Sequence, residues 1–234
     1  MTFIRSLLFM IIQLVWIPIY ATFSLLTFPL SPHTRYRIIS GLAYSMMWLL
    51  RVVCDIRMEV RGKENIPAEP CIIMSKHQSA WETFALQTVF PPQVWVLKRE
   101  LLWLPFFGWG LALTSPIAIN RSKGSEAMKQ LLAQGKQRLE DGFCVVVFPE
   151  GTRMPYGVRG KYKIGGALLA RSSGALIVPV AHDAGRLWAR NAFIKRPGTI
   201  TMSIGKPIDP AGLKGEEINR LVEDWIEGEM ERLK

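Results

Sequence analysis

Cysteine and histidine are scarce in this 234-residue chain, at three residues each. Cys54, Cys71 and Cys144 are widely separated, each lies in an apolar or alternating stretch, and no C-x-x-C or Cys/His cluster has metal-ligand spacing. That excludes a disulfide framework and a structural zinc, and leaves three buried thiols in a reducing, cytoplasm-facing domain. No G-x-S-x-G turn is present, so a serine on a nucleophile elbow is excluded as well. A phosphatase would need a nucleophile or clustered metal ligands, and neither is evident. Charge is missing from the front of the chain: between Arg5 and His33 there is no formally charged residue.

What fills that gap is apolar. Leu7 to Leu30 reads LLFMIIQLVWIPIYATFSLLTFPL, enough for a helix of roughly 20 residues to cross a bilayer. No small-residue cleavage site follows it, so the segment is read as part of the mature protein rather than a secretory signal. Gln13 and Pro18 fit either a kinked crossing or a helix lying within one leaflet, and both arrangements leave Trp16 and Tyr20 at an interface. The next stretch, Arg35 to Arg51, carries only about 13 uncharged residues between Arg37 and Arg51, too few to span at the helical rise, and reads as a second, embedded or packed helix. A core helix of the folded domain is the other reading of the same stretch.

The whole chain is 49% hydrophobic, with eight Trp, eleven Phe and a formal charge of +10. Such a charge calls for an anionic partner: nucleic acid, acidic lipid headgroups or an acidic carrier protein. Nucleic-acid modules interleave aromatics with basic residues, whereas here the aromatics sit in apolar runs, so no nucleic-acid partner is expected. Membrane phospholipid is. A non-catalytic basic protein that binds membrane lipid would share this composition.

From residue 54 the pattern changes. Cys54 to Val60 alternates apolar and polar as a half-exposed strand does, and short apolar runs recur at Cys71–Met74, Val94–Leu97, Ile117–Ile119, Phe143–Phe148, Leu176–Val180 and Ile200–Ile204. Helical periodicity separates several of them, at Ser79–Val89, Ser125–Glu140, Lys163–Arg171 and Glu216–Leu233. The expected fold is therefore α/β, a mixed, largely parallel sheet flanked by helices, over residues 54–234, preceded by a two-helix membrane-binding motif over 1–53. Ligands of such sheets gather at the carboxyl ends of the strands.

Three strand ends carry candidate chemistry. The first is Ser75-Lys-His-Gln-Ser-Ala-Trp-Glu82, which places His77 on a strand-to-helix loop. Ser79 and Glu82 form an S-x-x-E capping box, which by itself has no catalytic meaning. The same spacing lets the Glu82 carboxylate hold one nitrogen of His77 and leave the other as a base. The second is Phe148-Pro-Glu-Gly-Thr-Arg153, where Pro149 and Gly151 make a tight turn and Glu150, Thr152 and Arg153 offer an acid, a hydroxyl and a guanidinium. The third is Ile117-Ala-Ile-Asn-Arg121, with Lys123 close by. Two arginines beside a base suit a phosphomonoester with a reactive hydroxyl. Lys98, ending a further strand, is either an oxyanion-stabilising cation or a surface strand end. Arg159, Lys161 and Lys163 read as a solvated basic face.

His77 with Glu82, then Arg121, Phe148 to Arg153 and Ile177-Val-Pro-Val180 follow the order and approximate spacing of the glycerolipid acyltransferases. The sequence resembles the bacterial members that acylate 1-acyl-sn-glycerol 3-phosphate, over about 110 residues from Lys76 to Ala181. The resemblance implies a His77–Glu82 catalytic pair, with Arg121, Glu150, Gly151, Thr152 and Arg153 binding the acceptor and Val178-Pro179 near the acyl site. It also implies acyl-CoA or acyl carrier protein as donor, no cofactor, a lysophosphatidate acceptor, and a location at the cytoplasmic face of the bacterial inner membrane. Glycerol 3-phosphate or another lysophospholipid is the alternative acceptor. Three departures from the commonest pattern stand out: Glu82 where Asp is usual, Lys76 where Asn is frequent, and no aromatic before Arg121.

Overall fold

The computed structural model describes residues 1–105, 107–120 and 124–233. Helix α1 (Thr2–Ser24) tolerates Pro18 within it. Its Phe3, Ile4, Leu8, Ile11, Leu14, Val15 and Phe23 are exposed, while Phe9 is buried and meets Trp188 edge-on at 5.7 Å between ring centroids. The segment expected to form one second helix is divided at Ser40 into α2 (Pro32–Ile39) and α3 (Gly41–Cys54). Ser31 caps α2, accepting from the Thr34 amide, with Pro32 at the first helical position where its missing N–H costs nothing. Along α3, Ala43, Met46, Leu50 and Cys54 face the core, whereas Tyr44, Trp48 and Val52 are exposed. One face of α3 is thus that of a core helix, while the other leaves apolar side chains exposed. Thr2–Thr27 and Pro32–Cys54 are each long and apolar enough to cross a membrane, the second contrary to the expectation drawn from its uncharged residues alone.

Asp55, in the left-handed region at φ 51°, ends α3 and starts a seven-stranded sheet. Its strands are β1 (Ile56–Arg61), β2 (Ile72–Ser75), β3 (Gln93–Lys98), β4 (Ile117–Ile119), β5 (Cys144–Val147), β6 (Ile177–His182) and β7 (Gly198–Ile204), in the spatial order β1-β7-β6-β2-β5-β3-β4. Among the described residues every pairing of these strands is parallel except β6 with β7. Strands β2, β5 and β6 are buried throughout, as a parallel sheet covered on both faces requires.

The connecting helices are α4 (Trp81–Val89), α5 (Phe107–Ala112), α6 (Gly124–Glu140), α7 (Gly165–Ser173), α8 (Ala184–Leu187) and α9 (Gly215–Arg232). One core layer joins Ile73, Val146 and Val178 from the strands to Met46, Leu50, Trp81 and Leu86 from α3 and α4. The other joins Ile72, Val145 and Ile177 to Leu131, Leu169, Ile218 and Val222 from α6, α7 and α9. Adjacent strand residues therefore serve opposite layers, the period-2 geometry of a pleated strand. Helices α6 and α7 approach closely at Gly135, where a Cβ would lie 2.7 Å from both methyls of Leu169. The consequence for function is topological: β2 and β5 are neighbours, so the loops after them, at His77 and at Phe148–Arg153, meet at one edge.

Candidate active site

After β2 the chain runs through Lys76 to Ala80 before α4 begins at Trp81 with Ala80, not Ser79, as N-cap. Ser79 still serves the helix start, its Oγ accepting from the Trp81 amide at 3.1 Å. Glu82 is fully buried, and its carboxylate accepts from the Ser79 amide at 2.9 and 3.0 Å, from the Gln78 amide at 3.1 Å and from His77 Nδ1 at 2.7 Å. Capping the loop and orienting the imidazole are thus two tasks of one carboxylate. With Nδ1–H given to Glu82, the lone pair of His77 lies on Nε2. Burial opposes ionisation of Glu82, but the His77 hydrogen bond, the neighbouring imidazoles and the Ser79 amide together hold its carboxyl below the usual range.

The rest of His77 is equally constrained. Its ring stacks on Phe148 at 3.8 Å between centroids and 14° between planes, and Phe148 in turn stacks on Trp95 at 5.8 Å. Its carbonyl accepts from the Met154 amide at 2.7 Å, and its amide donates to Glu150 Oε2 at 3.0 Å. The side chain keeps 15% exposure against 0% for Glu82, so one edge of the ring reaches the surface.

The turn after β5 contains Gly151 at φ 69°. A Cβ there would lie 2.7 Å from Lys163 Nζ, so Lys163 folds over the turn, more than a solvated face requires. Arg159, by contrast, ion-pairs with Glu223 at 2.7 Å on the surface. Thr152 is exposed and Arg153 half-buried. The Arg153 Nε is buried with no hydrogen-bond partner among the described residues, an unsatisfied donor beside the turn. Arg190, which nothing in its local sequence singled out, approaches the same turn through Nη1 to the Arg153 carbonyl at 3.1 Å.

Glu150 departs from its expected place in acceptor binding. Its side chain is 0% exposed and ion-paired to Lys76 Nζ at 2.7 Å, while its other oxygen takes the His77 amide. Both oxygens are committed inside the protein, because the turn that exposes Thr152 points Glu150 back under the β2 loop. Burial pushes its carboxyl up, against the Lys76 ammonium and the His77 amide. Lys98 ends β3 exposed, two strands from β2 with β5 between, about 10 Å away at the usual strand spacing. Arg121 and Lys123 lie outside the described residues. His182, at the end of β6, was not expected at all. It is fully buried, its Nε2 lies 2.9 Å from the Lys76 carbonyl and 3.9 Å from Glu82 Oε2, and burial lowers its pKa. Among the described residues no group of three or more His, Cys, Asp or Glu side chains could hold a metal ion.

A family model described as acyltransferase matches residues 57–183. A 1-acyl-sn-glycerol-3-phosphate acyltransferase of Pseudomonas aeruginosa is 46% identical over 228 residues, which cover 95% of this chain and 89% of that protein. The chain belongs to the acyltransferase family. The human 1-acyl-sn-glycerol-3-phosphate acyltransferase beta is 32% identical to this acyltransferase over 72% of its chain, and the Saccharomyces cerevisiae 1-acyl-sn-glycerol-3-phosphate acyltransferase 30% identical over 75%. The matched regions span 62% and 59% of those two proteins. The crystal structure of the 1-acyl-sn-glycerophosphate acyltransferase of Thermotoga maritima superimposes with a TM-score of 0.81 at 24% identity, covering 99% of this chain and 95% of that one. The acyltransferase shares that fold over nearly its whole length.

Proposed function

We propose that the chain transfers an acyl group from a thioester to the sn-2 hydroxyl of 1-acyl-sn-glycerol 3-phosphate, giving phosphatidic acid. The observation that carries this reading is the buried Glu82 holding His77 Nδ1 at 2.7 Å beside the Arg153 turn, in a chain whose Pseudomonas aeruginosa relative bears that name over nearly its full length. His77 Nε2 takes the proton of the acceptor hydroxyl while that oxygen attacks the thioester carbonyl. The tetrahedral intermediate collapses, the C–S bond breaks, and the thiolate leaves with the proton returned by the imidazolium. Glu82 stabilises the imidazolium in between. Thr152 and Arg153 hold the acceptor phosphate, with Arg121 as a further cation; Gly151 allows the turn its shape, and Glu150 supports it from beneath. Lys98 meets the oxyanion only if the substrate bridges the two-strand gap.

The exposed apolar faces of α1 and α3 hold the domain on a membrane, where a single-chain lipid can reach the strand ends without leaving the bilayer. The formal charge of +10 suits acidic headgroups and an acidic donor, acyl-CoA or acyl carrier protein, on the cytoplasmic face of the bacterial inner membrane. The test is transfer from a labelled acyl thioester to lysophosphatidate by purified, detergent-solubilised protein, beside the His77→Ala variant and a glycerol 3-phosphate control. His77→Ala should lower kcat about 10²- to 10⁴-fold. Wild-type rates in that variant would remove His77 as the base, and product from glycerol 3-phosphate alone would change the acceptor.

A further inference from the structure

Lys76, immediately before His77, is one of the most deeply buried side chains in the molecule, at 1% exposure. Its ammonium donates to Glu150 Oε1 at 2.7 Å, to Glu227 Oε1 at 2.7 Å and to the Val158 carbonyl at 3.2 Å. Three acceptors thus satisfy three N–H groups, the condition under which a buried ammonium is tolerated. Glu227 belongs to α9, 151 residues further along the chain, and also accepts from the Tyr162 hydroxyl at 2.8 Å. The backbone of Lys76 is pinned as well: its amide donates to the Val180 carbonyl at 2.9 Å, and its carbonyl lies 2.9 Å from His182 Nε2.

We propose that Lys76 and Glu227 are positioning residues for His77: the buried ammonium clamps Glu150, Glu150 clamps the His77 amide, and Glu227 ties the whole loop to the C-terminal helix. This deepens the functional reading above and rests on it. The geometry argues for the clamp because, among the described residues, Glu150 ion-pairs with no cation but Lys76 and its second oxygen is the only side-chain atom that fixes the His77 backbone. Removing the ammonium leaves a buried carboxylate uncompensated, so Glu150 must move or take up a proton, and the His77 amide moves with it. A shorter amide side chain at position 76 could not reach from the end of β2 to α9, so here a lysine joins two elements that an asparagine would leave apart. Neither Lys76 nor Glu227 touches substrate in this scheme.

The experiment compares full-length Lys76→Met, Glu227→Gln and the double variant Lys76→Met/Glu150→Gln in detergent, each at a temperature where circular dichroism shows it folded. A mispositioned base should appear as a kcat lower by roughly 10- to 100-fold in Lys76→Met and by several-fold in Glu227→Gln, with KM within about twofold. The double variant should recover part of that loss, because a glutamine oxygen can still accept from the His77 amide and the carboxylate beneath His77 is no longer stranded, although Glu227 loses its cation as in the single variant. A second readout needs no substrate: in protein carrying ¹⁵N-histidine, of which there are only three, the His77 ring signals should shift in both single variants and move back in the double. Lower thermal midpoints with unchanged kcat and unchanged ring signals would reduce Lys76 and Glu227 to plain structural residues and overturn the proposal. If the wild type fails to acylate lysophosphatidate, the reaction is misassigned, and the ring signals still decide the clamp.

Discussion

Glu82→Gln keeps the shape of the side chain and removes its charge. A carboxylate is a pure acceptor, and here it meets only donors: His77 Nδ1 at 2.7 Å, the Gln78 amide at 3.1 Å and the Ser79 amide at 2.9 Å. Glutamine offers one oxygen and an NH₂, so a donor must face a donor in a site with no exposure to water. The lost interaction with His77 is charge-assisted, worth about 1.5–3 kcal/mol, and it matters most once the imidazole has taken the substrate proton. At about 1.36 kcal/mol for each factor of ten, kcat should fall roughly 10- to 150-fold. KM should stay within about twofold, because Glu82 lies behind His77 and away from the acceptor. The assay is initial-rate acyl transfer from labelled thioester to lysophosphatidate, with thermal unfolding of the same detergent-solubilised sample. If Glu82 only capped the start of α4, the midpoint would drop while kcat held. A folded Glu82→Gln protein with kcat within about twofold of wild type would therefore refute the pairing argument.

Arg153→Ala should raise KM for the acceptor with kcat little changed, since its half-buried guanidinium is the cation proposed to hold the acceptor phosphate in the ground state; a pure kcat loss would move Arg153 to the transition state. Stability should fall on acidification. His182 is held below its ordinary 6.5 by burial, and Glu82 below its ordinary 4.5 after its hydrogen bonds outweigh burial. Each stabilises the fold above its unfolded-state value, and loses that contribution as pH falls through the folded one. Glu150, shifted up, works in the opposite sense. Unfolding midpoints measured from pH 7.5 down to 4 should decline from about pH 6.5, and more shallowly below 4.5 in Glu82→Gln; a flat profile would contradict the burial argument. Gly151→Ala forces a Cβ into the left-handed region at φ 69°, at a cost of about 1–2 kcal/mol. The thermal midpoint should drop by roughly 2–8 °C, and an unchanged midpoint would mean the turn relaxes freely.

The local grammar of this chain is legible without coordinates. Alternation marks β1, continuous apolar runs mark β2, β5 and β6, and helical spacing marks α6 and α9, because each pattern arises from the geometry of one element against one surface. Boundaries differ by a residue or two, as at β1, where the left-handed Asp55 delays the strand to Ile56. The uncharged front segment likewise announces an apolar helix, since side chains that face lipid need no partner in the chain. His77, Glu82 and Arg153 are readable for a related reason: each follows a strand, and strand ends are where an α/β sheet offers open space.

Other features have no local signature. The order of the strands sets β2 beside β5 and so brings His77 over Phe148 and Glu150, which sequence spacing of more than 70 residues cannot indicate. The same order leaves Lys98 two strands away. Whether a carboxylate faces substrate or core depends on how a turn lies against its neighbours, and on that ground Glu150 turns inward to Lys76. His182 and Glu227 sit in stretches that read as an ordinary strand end and an ordinary helix. The sequence by itself determined the elements, the apolar front helices and the side-chain types that stand at the strand ends, because those follow from short-range periodicity and side-chain type. The tertiary structure alone decided which of those residues stand together and which charges are buried, because packing brings distant segments into contact and removes the water between them.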